Sequence, residues 1–348
     1  MKIAVDISQI VYEGTGVSRY LKNLKKAFET YDKFNLYTYF ESIIKSRPYF
    51  SSHLQDFLWN RLHITSIDWF IGKQDILITS DWTEPLSKAK KITVVHDLIY
   101  KIFPETVDKK IIDVQTRRMK WVKKESKIII ADSESTKQDL IDILKIEKER
   151  IRVVYPAVEI DEKYLKNTDP IPAIHPYILT VGKLEPRKNI PRLIEAFVSL
   201  NIPNLDLYIV GPTGWETATQ KIDIEGYKTI PNIKMLGFVE DEKLYSLYKN
   251  AEFFIMPSIY EGFGYPLVEA MILGCPTACS NTSSLKEIGQ DISEMFDPNS
   301  VNSIKKCIIK MHGNENLREE NGKKGIKRAK EFSIEKFYKN FLEVFNSL

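Results

Sequence analysis

The chain has 348 residues, too many for one ordinary domain and suited to two of roughly 150 to 170 each. With 43% apolar and 28% charged residues it can bury a core, which excludes collagen-like, low-complexity and disordered proteins. A formal charge of +3 is too small to argue for a nucleic-acid partner, and none is expected. The charge is uneven, however: residues 1–170 hold 29 basic and 25 acidic residues, residues 171–348 hold 21 and 22. An anionic surface would therefore meet the first half.

Short β-branched runs alternate with longer amphipathic segments, the pattern of βαβ units and parallel sheets. Strands are expected at Ile3–Ile7, Asp75–Thr79, Ile92–His96, Ile128–Asp132 and Ile151–Tyr155. Val17, Tyr20, Leu21, Leu24, Ala27 and Phe28 follow helical spacing, and residues 133–144 read as a second helix capped by Ser133 or Ser135. Three prolines in residues 167–176 predict a linker, and the alternation then restarts. Further strands are expected at Tyr177–Val181, Leu205–Val210, Ile233–Leu236, Phe253–Met256 and Thr277–Ser280, with a helix over Pro191–Leu200. The reading is two separately wound α/β domains, 1–170 and 171–332, whose facing sheets would leave a deep cleft beyond the strands' carboxyl ends. The amphipathic segment 333–348 is assigned back onto the first domain, although periodicity alone does not choose between the two.

Three cysteines, Cys275, Cys279 and Cys307, are fewer than a disulfide-dependent secreted domain carries, so a reducing, cytoplasmic setting is expected. The opening run Met1–Ile7 does not read as a signal peptide. No stretch reaches the ~18 apolar residues of a membrane span, so a soluble or peripheral protein is expected.

The most informative stretch runs from Met256 to Met271. A buried strand ends, a loop holding Gly262, Phe263 and Gly264 follows, and Pro266 is placed to begin a helix. The two glycines remove side chains where a backbone must approach a ligand, and the helix start offers N–H groups to an anion such as a diphosphate. Glu269 lies about one turn into that helix, where it can accept from a ribose diol; Glu261 on the loop can reach a sugar. Two glutamates eight apart are weak evidence alone, and a glycine loop before a helix is also common structural punctuation.

The wording around them is more specific. Pro-Ser-x-Tyr-Glu-Gly-Phe-Gly-x-Pro-x-x-Glu-Ala-Met resembles the signature of the retaining family 4 glycosyltransferases, which have the two-domain GT-B fold of two Rossmann-like, doubly wound domains. Tyr177–Asn189 resembles that family's diphosphate loop, and Gly211, Gly214 and Trp215 its next strand end. Leu236–Val239, residues 280–285, His96-Asp97-Leu98 and Ser133–Thr136 also fit in order. The likeness spans nearly the whole chain, is weakest at residues 35–75, and is nearest the mannosyltransferase B-like subgroup of bacterial surface polysaccharide synthesis.

The resemblance implies that Glu261 meets the donor sugar and Glu269 its ribose, and that Arg187 and Lys188 neutralise the diphosphate. Two fixed cations there would favour the departing nucleoside diphosphate, which gains charge in the transition state. It also implies that His96 contacts the sugar without acting as a general base, the leaving phosphate taking the acceptor's proton. Gly16, in the loop from Glu13 to Arg19, would lie over the diphosphate, and Gly182 beside it. As a dehydrogenase fingerprint that first loop fails, because its third glycine is missing. The implied substrates are GDP-mannose, or another nucleoside diphosphate sugar, and a glycan or lipid-linked acceptor. No Asp-x-Asp occurs and the histidines lack metal-ligand spacing, so no metal or other cofactor is expected.

Residues 109–127 hold eight basic residues on a helix whose other half is apolar. Such a face can rest on anionic lipid, or simply pack on the sheet with its charges in water. Two other functions remain compatible: a sugar-nucleotide epimerase or phosphorylase, the latter lacking a convincing pyridoxal lysine, and a catalytically silent glycan-binding subunit.

Overall fold

The apolar runs of the first half form six parallel strands: β1 (Lys2–Asp6), β2 (Leu36–Phe40), β3 (Ile76–Ser80), β4 (Lys90–Val95), β5 (Ser126–Ala131) and β6 (Ile151–Val153). Their order across the sheet is β2-β1-β3-β4-β5-β6. The computed structural model describes residues 1–12, 14–40, 52–166, 173–212 and 224–348. All of β3 is buried, as expected of a parallel strand covered on both faces. The sequence pattern misses β2, an edge strand whose Leu-Tyr-Thr-Tyr-Phe run is only partly buried.

Helices close this sheet by matching apolar stripes. In Gly16–Tyr31 the stripe is Tyr20, Leu21, Leu24, Ala27 and Phe28, all buried, and Thr15 caps the start by accepting from Ser18 N–H. In Ile334–Asn346, capped by Ser333, the stripe is Phe337, Phe341 and Phe345. The two stripes interlock: Tyr20 meets Phe337 edge-on at 5.3 Å and Phe28 meets Phe341 at 5.4 Å. The last helix thus belongs to the first unit, which comprises Met1–Ala157 and Ser333–Leu348.

The second unit is Val158–Phe332, so the chain changes unit at Ala157, before the proline-rich segment in which the sequence placed its linker. Residues 167–172 of that segment lie outside the described residues. Its strands are β7 (Tyr177–Val181), β8 (Asp206–Val210), β9 (Ile233–Gly237), β10 (Phe253–Met256), β11 (Thr277–Ser280) and β12 (Glu294–Phe296), all parallel. Their order is β12-β11-β10-β7-β8-β9. The short β12 is the other strand the pattern misses. The order reverses between β1 and β3 in the first sheet and between β7 and β10 in the second. Open α/β sheets hold their ligands beyond the carboxyl ends of the strands at such points.

Candidate active site

In the second unit the loops leaving β7 and β10 carry Arg187, Lys188 and Glu261. After β7 the chain passes Gly182, whose N–H donates to Val210 O at 2.9 Å. Gly211 packs so tightly there that a Cβ on it would lie 2.0 Å from Gly182 O. Pro186–Lys188 forms one helical turn, and Asn189 follows in the left-handed region at φ 58°. The Asn189 amide donates to Pro257 O and Pro298 O at 3.0 and 2.8 Å, while Ile259 N–H donates to Arg187 O at 2.8 Å. These bonds lock the β7 loop to the β10 loop.

The lock brings three charges together. Arg187 Nη1 lies 2.8 Å from Glu261 Oε2 and Lys188 Nζ 2.5 Å from Glu261 Oε1. Arg187 Nε is also paired with Glu185 at 3.1 Å. Burial works to raise the Glu261 carboxyl, but Lys188 and Arg187 outweigh it and hold it at about 2. Burial, with Arg187 alongside, lowers the Lys188 ammonium against the pull of Glu261. The cluster is one ionised carboxylate gripped by two cations at a strand switch point.

Three hydroxyls after β11 hold the Glu261 loop in shape. Thr282 donates to Ile259 O at 2.9 Å, Ser283 Oγ accepts from Glu261 N–H at 3.0 Å, and Ser284 donates to Glu261 O and Phe263 O at 2.9 and 2.7 Å. This collar is the functional feature that sequence reasoning left without a role. Its signal was present, three hydroxyl residues in succession after an apolar strand.

The helix after the loop is Tyr265–Ile272, so Pro266 is its second residue and not its first. Gly264 caps it at φ 111°, where a Cβ would also meet Leu285 Cδ2 at 2.8 Å. Glu269 is buried and accepts from Tyr248 OH at 3.3 Å. Phe263 is buried against Tyr265 and Phe332. Gly262 sits in the bend between Glu261 and Phe263. Gly214 and Trp215 lie outside the described residues.

In the first unit His96 follows the last residue of β4, beside the β1/β3 switch point. Its Nδ1 lies 2.7 Å from Asp132 Oδ2 and its Nε2 3.0 Å from Ser80 Oγ. Burial alone would lower its pKa, but the Asp132 carboxylate outweighs burial and raises it. Thr136 donates to the His96 carbonyl at 3.2 Å, and Ser133, not Ser135, caps the helix Glu134–Asp142 that carries it. Ser80 and Asp132 were not singled out from sequence, because each gains meaning only once β3, β4 and β5 lie side by side. At the end of β1, burial pushes Asp6 up to about 6, opposed by bonds from Ser8 and by Arg118. Gly16 opens its helix one residue after the Thr15 cap, and Glu13 lies outside the described residues.

The basic segment folds as the helix Lys109–Glu125, with Val114, Met119 and Val122 buried. Arg118 is buried with them and donates to Val94 O at 2.9 Å; Lys109, Lys110, Lys120, Lys123, Lys124 and Lys127 are exposed. All three cysteines are buried free thiols. Among the described residues no helix is long and apolar enough to cross a membrane, and no group of three or more His, Cys, Asp or Glu is placed to hold a metal.

Comparison with known proteins bears on the family and the fold. Residues 161–328 match the family described as glycosyl transferases group 1, and residues 15–162 match glycosyltransferase family 4. O-antigen chain mannosyltransferase B of Escherichia coli is 30% identical over 256 residues, covering 71% of this chain and 67% of that protein. Among solved structures, sucrose-phosphate synthase of Thermosynechococcus elongatus superposes with a TM-score of 0.74 at 18% identity, covering 100% of this chain and 98% of its own. HepE of Anabaena, solved in complex with UDP and glucose, gives 0.66 at 15% identity and 100% coverage of both.

Proposed function

The chain belongs to the glycosyltransferases, family 4 over its first part and group 1 over its second, with the GT-B fold, and from that premise we propose that it moves a hexose from a nucleoside diphosphate sugar to a hydroxyl of a glycan or lipid-linked oligosaccharide, with retention of configuration and without a metal. The sugar is mannose and the donor GDP-mannose, in bacterial surface polysaccharide synthesis, a reading supported by the name of the E. coli relative. The observation that carries the chemistry is the Arg187–Lys188–Glu261 cluster.

Without donor, Glu261 pairs with both cations, and Glu185 supplies the second negative charge at Arg187. A bound diphosphate competes for them, and Glu261 is released to accept from the sugar's hydroxyls. The acceptor oxygen bonds to the anomeric carbon on the face from which the diphosphate leaves. The C–O bond to the diphosphate breaks, and the acceptor's proton passes to a leaving phosphate oxygen. Arg187 and Lys188 take up the charge that develops, with no reorganisation needed at that moment. Glu269 holds the ribose, the backbone at Gly182, Gly262, Phe263 and Gly264 admits the diphosphate, and Gly16 and His96 complete the donor contacts, His96 orienting the sugar. The protein is placed in the cytoplasm, with peripheral membrane contact through the exposed lysines of 109–127; equal failure to float with anionic and neutral liposomes would remove that contact.

A thermal-shift screen against UDP, GDP, dTDP and ADP, each with and without magnesium, tests the reading, since a ligand of the folded state raises the melting temperature. Stabilisation by GDP alone, independent of magnesium, is expected. A win for UDP, the nucleotide seen with HepE, would keep the transferase and discard mannose. No shift at millimolar nucleotide would favour the silent glycan-binding subunit.

A further inference from the structure

The first unit holds a cavity of about 340 Å³, within the range of small-ligand sites, in a place that the donor chemistry does not use. Arg61, Lys109, Lys110 and Arg117 line it against Asp56 and Asp113, so positive charges outnumber negative by two. Arg117 is already matched, its Nη2 lying 2.6 Å from Asp56 Oδ2, and Lys110 has a partner as well. Arg61 and Lys109 form no ion pair with a described residue. Trp82 adds an aromatic wall, and its buried Nε1 has no hydrogen-bond partner among the described residues.

The cavity's position gives these charges a purpose. Trp82 stands two residues beyond Ser80, the end of β3 and the partner of His96 Nε2. The helix Lys109–Glu125 is bolted to the same strand ends, Gln115 donating to Asp81 O and Arg118 to Val94 O. Residues 109, 110, 113, 114 and 117 share one face of that helix, as i, i+4 and i+8 spacing requires. The cavity therefore opens at the carboxyl ends of a doubly wound sheet, the side that takes ligands. Surplus cations, partly walled by low-dielectric side chains, concentrate a multiply charged anion there.

We propose that this cavity is the subsite for the phosphate or diphosphate group of the acceptor, held by Arg61, Lys109 and Lys110. The proposal rests on the transfer to a lipid-linked glycan argued above and adds where the acceptor's charge is bound. Phe57 and Leu62, exposed on the helix Asp56–Leu62 that carries Arg61, give the lipid side of such a headgroup an apolar neighbour.

Calorimetric titration of the full chain tests it. Inorganic diphosphate also suits Arg187 and Lys188, so the titration is made in a Lys188→Ala background, with and without Arg61→Gln and Lys109→Gln. Charge-assisted bonds of this kind contribute about ten-fold in affinity each. The Lys188→Ala chain should bind diphosphate, and the added pair of substitutions should weaken it at least ten-fold with an unchanged melting curve. No binding in the Lys188→Ala background, or an affinity indifferent to Arg61 and Lys109, overturns the subsite. Geranyl diphosphate binding more tightly than inorganic diphosphate identifies a lipid headgroup; equal affinity keeps the anion subsite and removes the lipid. Wild-type protein titrated with GDP reads the donor site separately, so a failed donor reading leaves this result interpretable.

Discussion

Replacing Glu261 with glutamine removes one charge from a buried cluster of three and tests the electrostatics directly. The carboxyl is held at about 2 against an ordinary 4.5. At about 1.4 kcal/mol per pKa unit, the ionised group contributes on the order of 3 kcal/mol to folding. The sign follows from a depressed acid: the contribution is present above pH 4.5 and is lost as pH falls through the folded value near 2. Loss of one partner from a buried pair costs about 3–5 kcal/mol by a separate route, because the partner's charge is left without compensation. Here that charge is chiefly Lys188, which burial already disfavours. Glu261→Gln should therefore be about 3 kcal/mol less stable than wild type in urea unfolding at pH 7, and the gap should close between pH 4.5 and pH 2. Turnover should fall severely in the same variant, since the neutral amide oxygen accepts from the sugar more weakly than a carboxylate. Equal stability at pH 7 within about 0.5 kcal/mol, or a gap that does not change with pH, would refute the linkage of these three residues.

Three further perturbations reach other parts of the structure. Gly211→Ala drives a Cβ to 2.0 Å from Gly182 O, so the loop after β7 must shift; on the function proposed above, nucleotide affinity should fall at least ten-fold, read by calorimetry. Asp132→Asn removes the carboxylate that raises His96, so the ring's titration, followed by NMR, should move to lower pH. A raised histidine stabilises below its unfolded value and loses that contribution as pH rises through the folded one, so the variant's deficit should be largest in acid. Phe341→Ala opens the aromatic interlock between the last helix and Gly16–Tyr31, and should cost about 3–5 kcal/mol in unfolding of the first unit.

The parts of this protein that were legible in its sequence are those where one segment decides the outcome alone. The run Asp75–Thr79 reads as a strand by itself, and β3 forms there at Ile76–Ser80; the stripe from Tyr20 to Phe28 is a helix face by its spacing alone. Arg187, Lys188 and Glu261 stood out through the resemblance of their loops, within Tyr177–Asn189 and Met256–Met271, to a known family. What stayed hidden depends on neighbours remote in the chain. Asp132 is one acid at a strand end until β5 pairs with β4 and sets it beside His96. Thr282, Ser283 and Ser284 look like an ordinary turn until β11 pairs with β10 and turns their hydroxyls onto the Glu261 loop. Tyr248 becomes a partner of Glu269 only when the helices Asp241–Asn250 and Tyr265–Ile272, before and after β10, come together. The edge strands β2 and β12 were missed for their own reasons, the Leu-Tyr-Thr-Tyr-Phe run of β2 being only partly buried and the Glu-Met-Phe of β12 carrying little apolar pattern.

That division has a chemical consequence. The residues legible in the sequence are charged groups on loops, which can meet a substrate directly. The hidden ones are hydroxyls, an amide and a second carboxylate, each tied to a loop backbone or to a charged side chain. Asn189 bonds two carbonyls, Ser284 bonds two more, and Asp132 and Ser80 bond the two nitrogens of one ring. A cluster of opposed charges such as Glu261 with Arg187 and Lys188 gives up its attraction when any one member swings away. Holding the loop backbones by neutral bonds leaves the three side chains as the parts able to exchange partners. On the function proposed above, Glu261 can then be traded for a diphosphate without rebuilding the loops, with the cations kept aimed where the leaving group's charge would appear.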